Sequence, residues 1–345
     1  MTMRGKHLSL PKAVFIGEQV AGEGFQGEEQ FIPTESKIFL VERLVDAGFK
    51  SIHVSSFSHP GAQPQHRDCE EIYKRIPRRD DVTYLAPTPN MRAVERAIKC
   101  RESGAGPNTI VTVIGSTEAY NQTLLGVTTE EQLKHSEQIL KVAHQAGLKV
   151  CLAIVGVWHC LVTGKRVPKN VPYELADRLM AMGADEISYG EGGEGPKAPS
   201  PAEVYEFFSR ILEKYPDPKK HTLHLHDRLG FGTAISLAAM QAGLTNFETT
   251  LGGLSTNFSR IVDKVPTRGA TEPPFGYYFS PGCEGQVPTE DFAAMCESMG
   301  VETGIDMDKL LRISIWLEKI VGRKLGSSYV KTRMGMIQPP LPRKT

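Results

Sequence analysis

Short runs of β-branched and aromatic residues alternate along this chain with longer stretches whose apolar positions recur at helical spacing. The short runs read as strands at 13–16, 51–55, 82–86, 109–114, 150–155, 186–189, 222–226 and 247–250. Helical periodicity fills most of the gaps, at 33–48, 91–101, 129–146, 173–182, 201–214 and 234–242. Length and period separate the two kinds of segment: buried strands are short and continuous, and amphipathic helices are longer. Three helix ends carry the same punctuation, with Gly48, Gly147 and Gly183 each standing just before the next strand. Glycine accepts the left-handed backbone that terminates a helix.

Eight strands alternating with helices imply parallel pairing through right-handed crossovers. The fold class is therefore α/β, a (β/α)8 TIM barrel. A doubly wound open sheet is the rival. The count of eight, and the lack of a glycine-rich dinucleotide fingerprint after the first strand, favour the barrel. After the eighth strand the pattern changes: residues 252–287 are rich in Gly, Pro, Ser and Thr, which predicts a long insertion with a lid-like or unstructured character. Helical patterns return at 289–299 and 307–321. One catalytic domain is thus expected over 1–322, followed by a tail over 323–345 that is basic and Pro-rich from about 326, either disordered or packed on a partner subunit.

Composition narrows the function classes. The 345 residues carry 40 Lys+Arg against 40 Asp+Glu, so no basic stripe points to nucleic acid, and no Lys/Arg-rich amphipathic helix points to a membrane surface. The N-terminal residues lack a signal-peptide apolar stretch, and no apolar run approaches the length of a membrane span. Six scattered cysteines with no CxxC pair read as free thiols in a reducing cytoplasm.

In a barrel of this kind chemistry sits at the C-terminal ends of the strands. The sharpest signal there is His224-Leu225-His226-Asp227, at the end of strand seven. Residues i and i+2 of a strand share a face, so both imidazoles point the same way and offer a platform for a divalent ion. Two polar barrel residues bonded to neighbours would produce the same local pattern.

Other motifs accompany it in fixed order: Pro33-Thr34-Glu35-x-Lys37, Ser55-Ser56-Phe57 with Pro60, Pro64-Gln65, Thr88-Pro89-Asn90, Ile187-Ser188-x-Gly190 and Thr289-Glu290-Asp291. Together they resemble the 3-hydroxy-3-methylglutaryl-CoA lyase family of metal-dependent TIM-barrel lyases and condensing enzymes, over about 13–320. The resemblance implies a divalent metal (zinc, manganese or magnesium) held by Glu23, His224, His226 and Gln286. It further implies a small-molecule substrate, such as a CoA thioester, and a homodimer.

The departures fall where the chemistry sits. The family's Arg-Asp-Gly aligns with Gly22-Glu23-Gly24, so the basic neighbour is gone; Gln286 stands for Asn, and Glu191 for Asp. The strand-two carboxylate is His53, the basic residue of strand five is Cys151, and the mobile cysteine aligns near Asn257. His53 becomes a candidate general base or further ligand, Glu191 an acid/base or substrate-binding residue, and Cys283 a substitute proton donor. The implied reaction is carbon–carbon cleavage beside a carbonyl, or its reverse, on an acyl-CoA or oxo acid other than 3-hydroxy-3-methylglutaryl-CoA. A hydrolase or isomerase on the same barrel, and a silent barrel acting as a binding subunit, are the alternatives.

Overall fold

Eight parallel strands pair in chain order and close on themselves: β1 (Phe15–Glu18), β2 (Ser51–His53), β3 (Thr83–Pro87), β4 (Thr109–Gly115), β5 (Lys149–Val155), β6 (Glu186–Gly190), β7 (His221–His224) and β8 (Asn246–Thr249). The expected (β/α)8 barrel is the fold. This computed structural model describes residues 9–28, 30–191, 198–227, 229–255, 261–262, 265–266 and 285–337. Closure comes from β1 against β8, from Phe15↔Asn246 to Glu18↔Thr249.

The outer layer holds α1 (Thr34–Asp46), α2 (Cys69–Arg75), α3 (Met91–Glu102), the single turn α4 (Glu118–Tyr120), α5 (Thr129–Gln145), α6 (Asn170–Ala181), α7 (Pro201–Lys214) and α8 (Gly232–Gln241). Neither α2 nor α4 was expected, because elements so short complete too few turns for periodicity to show. Among the described residues, three helices follow the barrel: α9 (Thr289–Ser298), α10 (Met307–Val321) and α11 (Ser328–Ile337). None of the helices in the described residues is long and apolar enough to cross a membrane.

Strand alternation divides the apolar residues between two cores. Ile110, Ile114, Leu152, Ile154, Tyr189 and Phe247 face the helices in the main core. Leu85, Val111 and Cys151, at the intervening positions, form a separate cluster inside the barrel.

Several motif residues turn out to hold loops around the mouth. The Lys37 ammonium is buried and reaches Asp68 at 2.9 Å and the Gln65 carbonyl, while Thr34 donates to the same aspartate at 2.8 Å. The Gln65 amide accepts from Ile32 N–H at 3.0 Å and donates to the carbonyls of Glu28 and Gln30. These bonds fasten the segment between β1 and α1. Loss of one member of such a buried ion pair typically costs about 3–5 kcal/mol, because the other charge is stranded.

The Thr289-Glu290-Asp291 motif ties three further elements together. Thr289 donates to Glu18 at 2.6 Å, Glu290 accepts from Gly252 N–H at 2.9 Å, and Asp291 accepts from Ser327 Oγ, Ser328 N–H and Tyr329 N–H. The last set initiates α11, which lies within the tail for which disorder or packing on a partner subunit was expected. The segment from 328 to 337 is a helix carrying a buried Val330. Its stop at the N-terminal end is supplied by a side chain 36 residues upstream, so composition alone could not reveal it.

Candidate functional site

The chain after β1 turns back sharply: the Glu23 N–H donates to the Gln19 carbonyl at 2.7 Å. Glycine on either side makes this possible. A Cβ at position 22 would lie 2.8 Å from the His53 Cβ, and one at 24 would lie 3.2 Å from the Leu254 carbonyl oxygen. The turn thus carries Glu23 over the barrel, and the His53 Cβ occupies the space in which a side chain at position 22 would begin.

On the opposite wall, β7 ends at His224, two residues short of the expected strand end. His226 leaves the parallel sheet and pairs antiparallel with Gln286 instead. Flanking backbone bonds, Asp227 N–H to the Gly285 carbonyl at 2.8 Å and Val287 N–H to the Leu225 carbonyl at 3.2 Å, hold this return strand. It fixes Gln286, fully buried, at the mouth. Asp227 faces elsewhere and accepts from Gly232 N–H at 2.7 Å, at the start of α8.

Ligand atoms of Glu23, His224 and His226 all lie within 4.8 Å of one another. Glu23 Oε1 is 3.4 Å from His226 Nε2, and Oε2 is 3.7 Å from His224 Nε2. Each imidazole is backed by a carboxylate on its other nitrogen: His224 Nδ1 by Glu248 at 2.8 Å and His226 Nδ1 by Glu191 at 2.9 Å. Glu191 also accepts from the His226 N–H at 3.2 Å, so both of its oxygens address that one residue. Glu248 is steadied by Ser188 at 3.0 Å. Gln286 Nε2 donates to Gln19 at 2.7 Å, whereas its buried Oε1 has no hydrogen-bond partner among the described residues. Ser255 donates to Glu23 at 2.9 Å.

This donor set fits a divalent cation. Two imidazole nitrogens converge with a carboxylate, each imidazole is oriented by a second carboxylate, and a buried amide oxygen is left over. The charges are correspondingly displaced. Burial alone would disfavour charge on His224, but Glu23 and then Glu248 raise its pKa to about 10. Burial likewise works against an ionised Glu23, and the two histidines overcome it and hold the carboxyl well below its ordinary range.

His53 sits below this group with a buried ring. Its Nε2 is 3.8 Å from Glu248 Oε1, and neither ring nitrogen has a hydrogen-bond partner among the described residues. Burial keeps the imidazole below its ordinary pKa, with Glu248 and Glu23 only partly offsetting it. Cys151 lies inside the barrel, where burial pushes the thiol pKa far up. The structure therefore brings Glu23, His224, His226, Gln286, Glu191 and His53 to one mouth. Cys283 and Asn257 lie outside the described residues. Sequence reading missed Glu248, Gln19 and Ser255. An inward carboxylate within Phe247-Glu248-Thr249 was the available signal for the first.

The HMGL-like family model matches residues 20–316. The hydroxymethylglutaryl-CoA lyase of Bacillus subtilis is 30% identical over 320 residues, covering 93% of this chain and 97% of the relative. The human mitochondrial hydroxymethylglutaryl-CoA lyase is 28% identical over 320 residues, covering 92% of this chain and 89% of the relative. Among solved structures, the B. subtilis lyase matches with a TM-score of 0.81 at 29% identity, over 94% of this chain and 99% of that one. An HMG-CoA lyase from Acinetobacter baumannii, in complex with coenzyme A and 3-methylmalate, matches with a TM-score of 0.80 at 26% identity, over 96% and 98%.

Proposed function

The chain belongs to the HMGL-like family, and from that membership we propose that it is a divalent-metal-dependent carbon–carbon lyase acting on a hydroxyacyl-CoA or hydroxy acid other than 3-hydroxy-3-methylglutaryl-CoA. The observation that carries the reading is the convergence of Glu23, His224 and His226, with a carboxylate behind each imidazole. A cation held by these three residues and Gln286 would supply Lewis-acid polarisation of a substrate oxygen.

The chain's own groups account for the proton movements. His53, neutral and without a hydrogen-bond partner among the described residues, takes the substrate hydroxyl proton, which lets the carbon–carbon bond break in the retro-aldol or retro-Claisen sense. Glu248, 3.8 Å from His53 Nε2, stabilises the imidazolium that forms. Glu191 acts as a positioning residue for His226. The acid that returns a proton to the carbanion is assigned to Cys283, three residues before Gln286 in the chain. The substrate is taken to differ from that of the namesake lyases because position 22 is glycine, position 151 is a buried thiol and position 257 is asparagine.

Metal analysis and turnover together test this. Purified protein is expected to hold about one divalent cation per chain, to lose it in His224→Ala, and to release a carbonyl compound from at least one member of a panel of hydroxyacyl-CoA thioesters and hydroxy acids. Protein that takes up no cation, with His224→Ala as stable as the parent, would instead indicate a silent barrel.

A further inference from the structure

The barrel mouth has two unlike walls. Strands β6 to β8 and the turn after β1 present Glu23, Glu191, Glu248 and the two histidines. The β4–β5 wall carries none of this. There Ile110, Ile114 and Ile154 are wholly buried against the helices, so Val111, Val113, Ala153 and Val155 point inward. Of these, Val113, Ala153 and Val155 are only partly buried, and the space they look onto is the mouth. Register connects the two walls: Val113 pairs with Ala153, Val155 with Gly190, and Gly190 with His224.

Gly190 stands between the imidazole and the apolar wall, and the fold does not require it. A Cβ built there meets only ordinary contacts, the nearest being the Ile154 carbonyl oxygen at 3.6 Å and His224 Cδ2 at 3.8 Å. With glycine here, no side chain stands between His224 and the valine and alanine of the neighbouring strands. Among the described residues, the ion pairs of Glu23 and Glu248 are all with histidine. Among the described residues, this wall offers a second substrate carboxylate no cation in exchange for its water.

We propose that the hydroxyl-bearing carbon of the substrate carries an alkyl or aryl group larger than methyl, seated past Gly190 on Val113, Ala153 and Val155. This rests on the lyase reading above. Cleavage then removes the hydroxyl proton and turns the C–O bond into a carbonyl. The electron pair of the carbon–carbon bond passes to the acyl α-carbon, which takes up one proton. The products are an acyl compound and an aldehyde, ketone or 2-oxo acid that keeps the apolar group.

Simple 2-hydroxy acids probe the seat without requiring turnover. Calorimetric titration of the manganese-loaded protein with 2-hydroxyisocaproate, 2-hydroxyglutarate and lactate should find the branched-chain acid tightest, on the order of tenfold over the dicarboxylate. Gly190→Val, and separately Ala153→Leu, should erase that advantage while lactate binds as before; unchanged lactate affinity reports an intact fold and cation site. Equal or tighter binding of 2-hydroxyglutarate overturns the apolar seat and leaves the lyase reading standing, as does a branched-chain preference untouched by both variants. Failure of all three acids to bind a manganese-loaded protein also overturns the seat. Failure to load manganese, zinc or magnesium at all removes the lyase reading and the seat with it.

Discussion

At the scale of single residues, Glu248 illustrates how much of the site depends on groups behind the ligands. Its carboxylate sits 2.8 Å from His224 Nδ1. With Nδ1 engaged in this way, the Nε2 lone pair is directed at the side of the ring that faces Glu23. A carboxylate partner also makes the imidazole a stronger donor. Glu248→Gln keeps the size of the side chain and an oxygen that can accept, but removes the charge. Cation affinity should drop by about 10–100-fold, the usual effect of losing such an orienting partner. Competition against a chromogenic chelator measures it. Ser188→Ala, which removes only the 3.0 Å bond to Glu248, should lower affinity by less. Unaltered affinity in Glu248→Gln would show that the cation, if bound, does not use the His224 orientation seen here.

At the scale of elements, the helix-ending glycines separate two costs that the sequence presents as one. Gly48 and Gly183 both adopt left-handed backbone, at φ of 106° and 92°. Around Gly183 a Cβ would meet nothing within 4 Å, whereas at Gly48 it would fall 2.2 Å from the Gly304 carbonyl oxygen. Gly183→Ala should therefore cost about 1–2 kcal/mol, the left-handed penalty alone. Gly48→Ala should cost clearly more, since the loop before α10 must also move. Denaturant midpoints of the two variants compare them directly, and equal losses would contradict the close approach. The same contrast explains what was legible beforehand. Strand and helix alternation, and the glycines ending helices, are local patterns, so the barrel could be read along the chain. The HxH pair was legible because two residues of one strand carry it. Gln286 and Glu23 could be tied to it only through a resemblance, because a return strand and a folded-back turn bring them in from far along the chain. Glu248 is marked locally only as a carboxylate inside an apolar strand, and Gln19 carries no mark of its own. Each gains its role from one bond to a residue on another element, and α11 owes its start to Asp291 in the same way.

At the scale of the whole molecule, the barrel's closing seam holds two carboxyl groups that make stability depend on pH. Glu18, on β1, accepts from Val20 and Leu251 N–H and from Thr289, and Glu290 accepts from Gly252 N–H and Ser314. Together they join β1, the turn after β8, α9 and α10. Both are fully buried, and burial raises their pKa values from 4.5, to about 8 for Glu18 and about 7 for Glu290. Below 4.5 the folded and unfolded chains both keep these protons, so neither group contributes a slope. Above 4.5 the unfolded chain releases them first, and unfolding gains ground as pH climbs. For Glu290 this continues to about pH 7 and for Glu18 to about pH 8, beyond which the penalty is constant. The thermal midpoint of the parent should thus fall relative to that of Glu18→Gln between pH 5 and 8. The part of that fall lying between pH 7 and 8 should survive in Glu290→Gln, because only Glu18 still titrates there. Thermal unfolding of the three proteins across this range, in one buffer series at fixed ionic strength, checks both statements. A difference between parent and Glu18→Gln that stays level, or that grows in the parent's favour with rising pH, would mean that the seam accommodates the ionised carboxylate through its three hydrogen bonds.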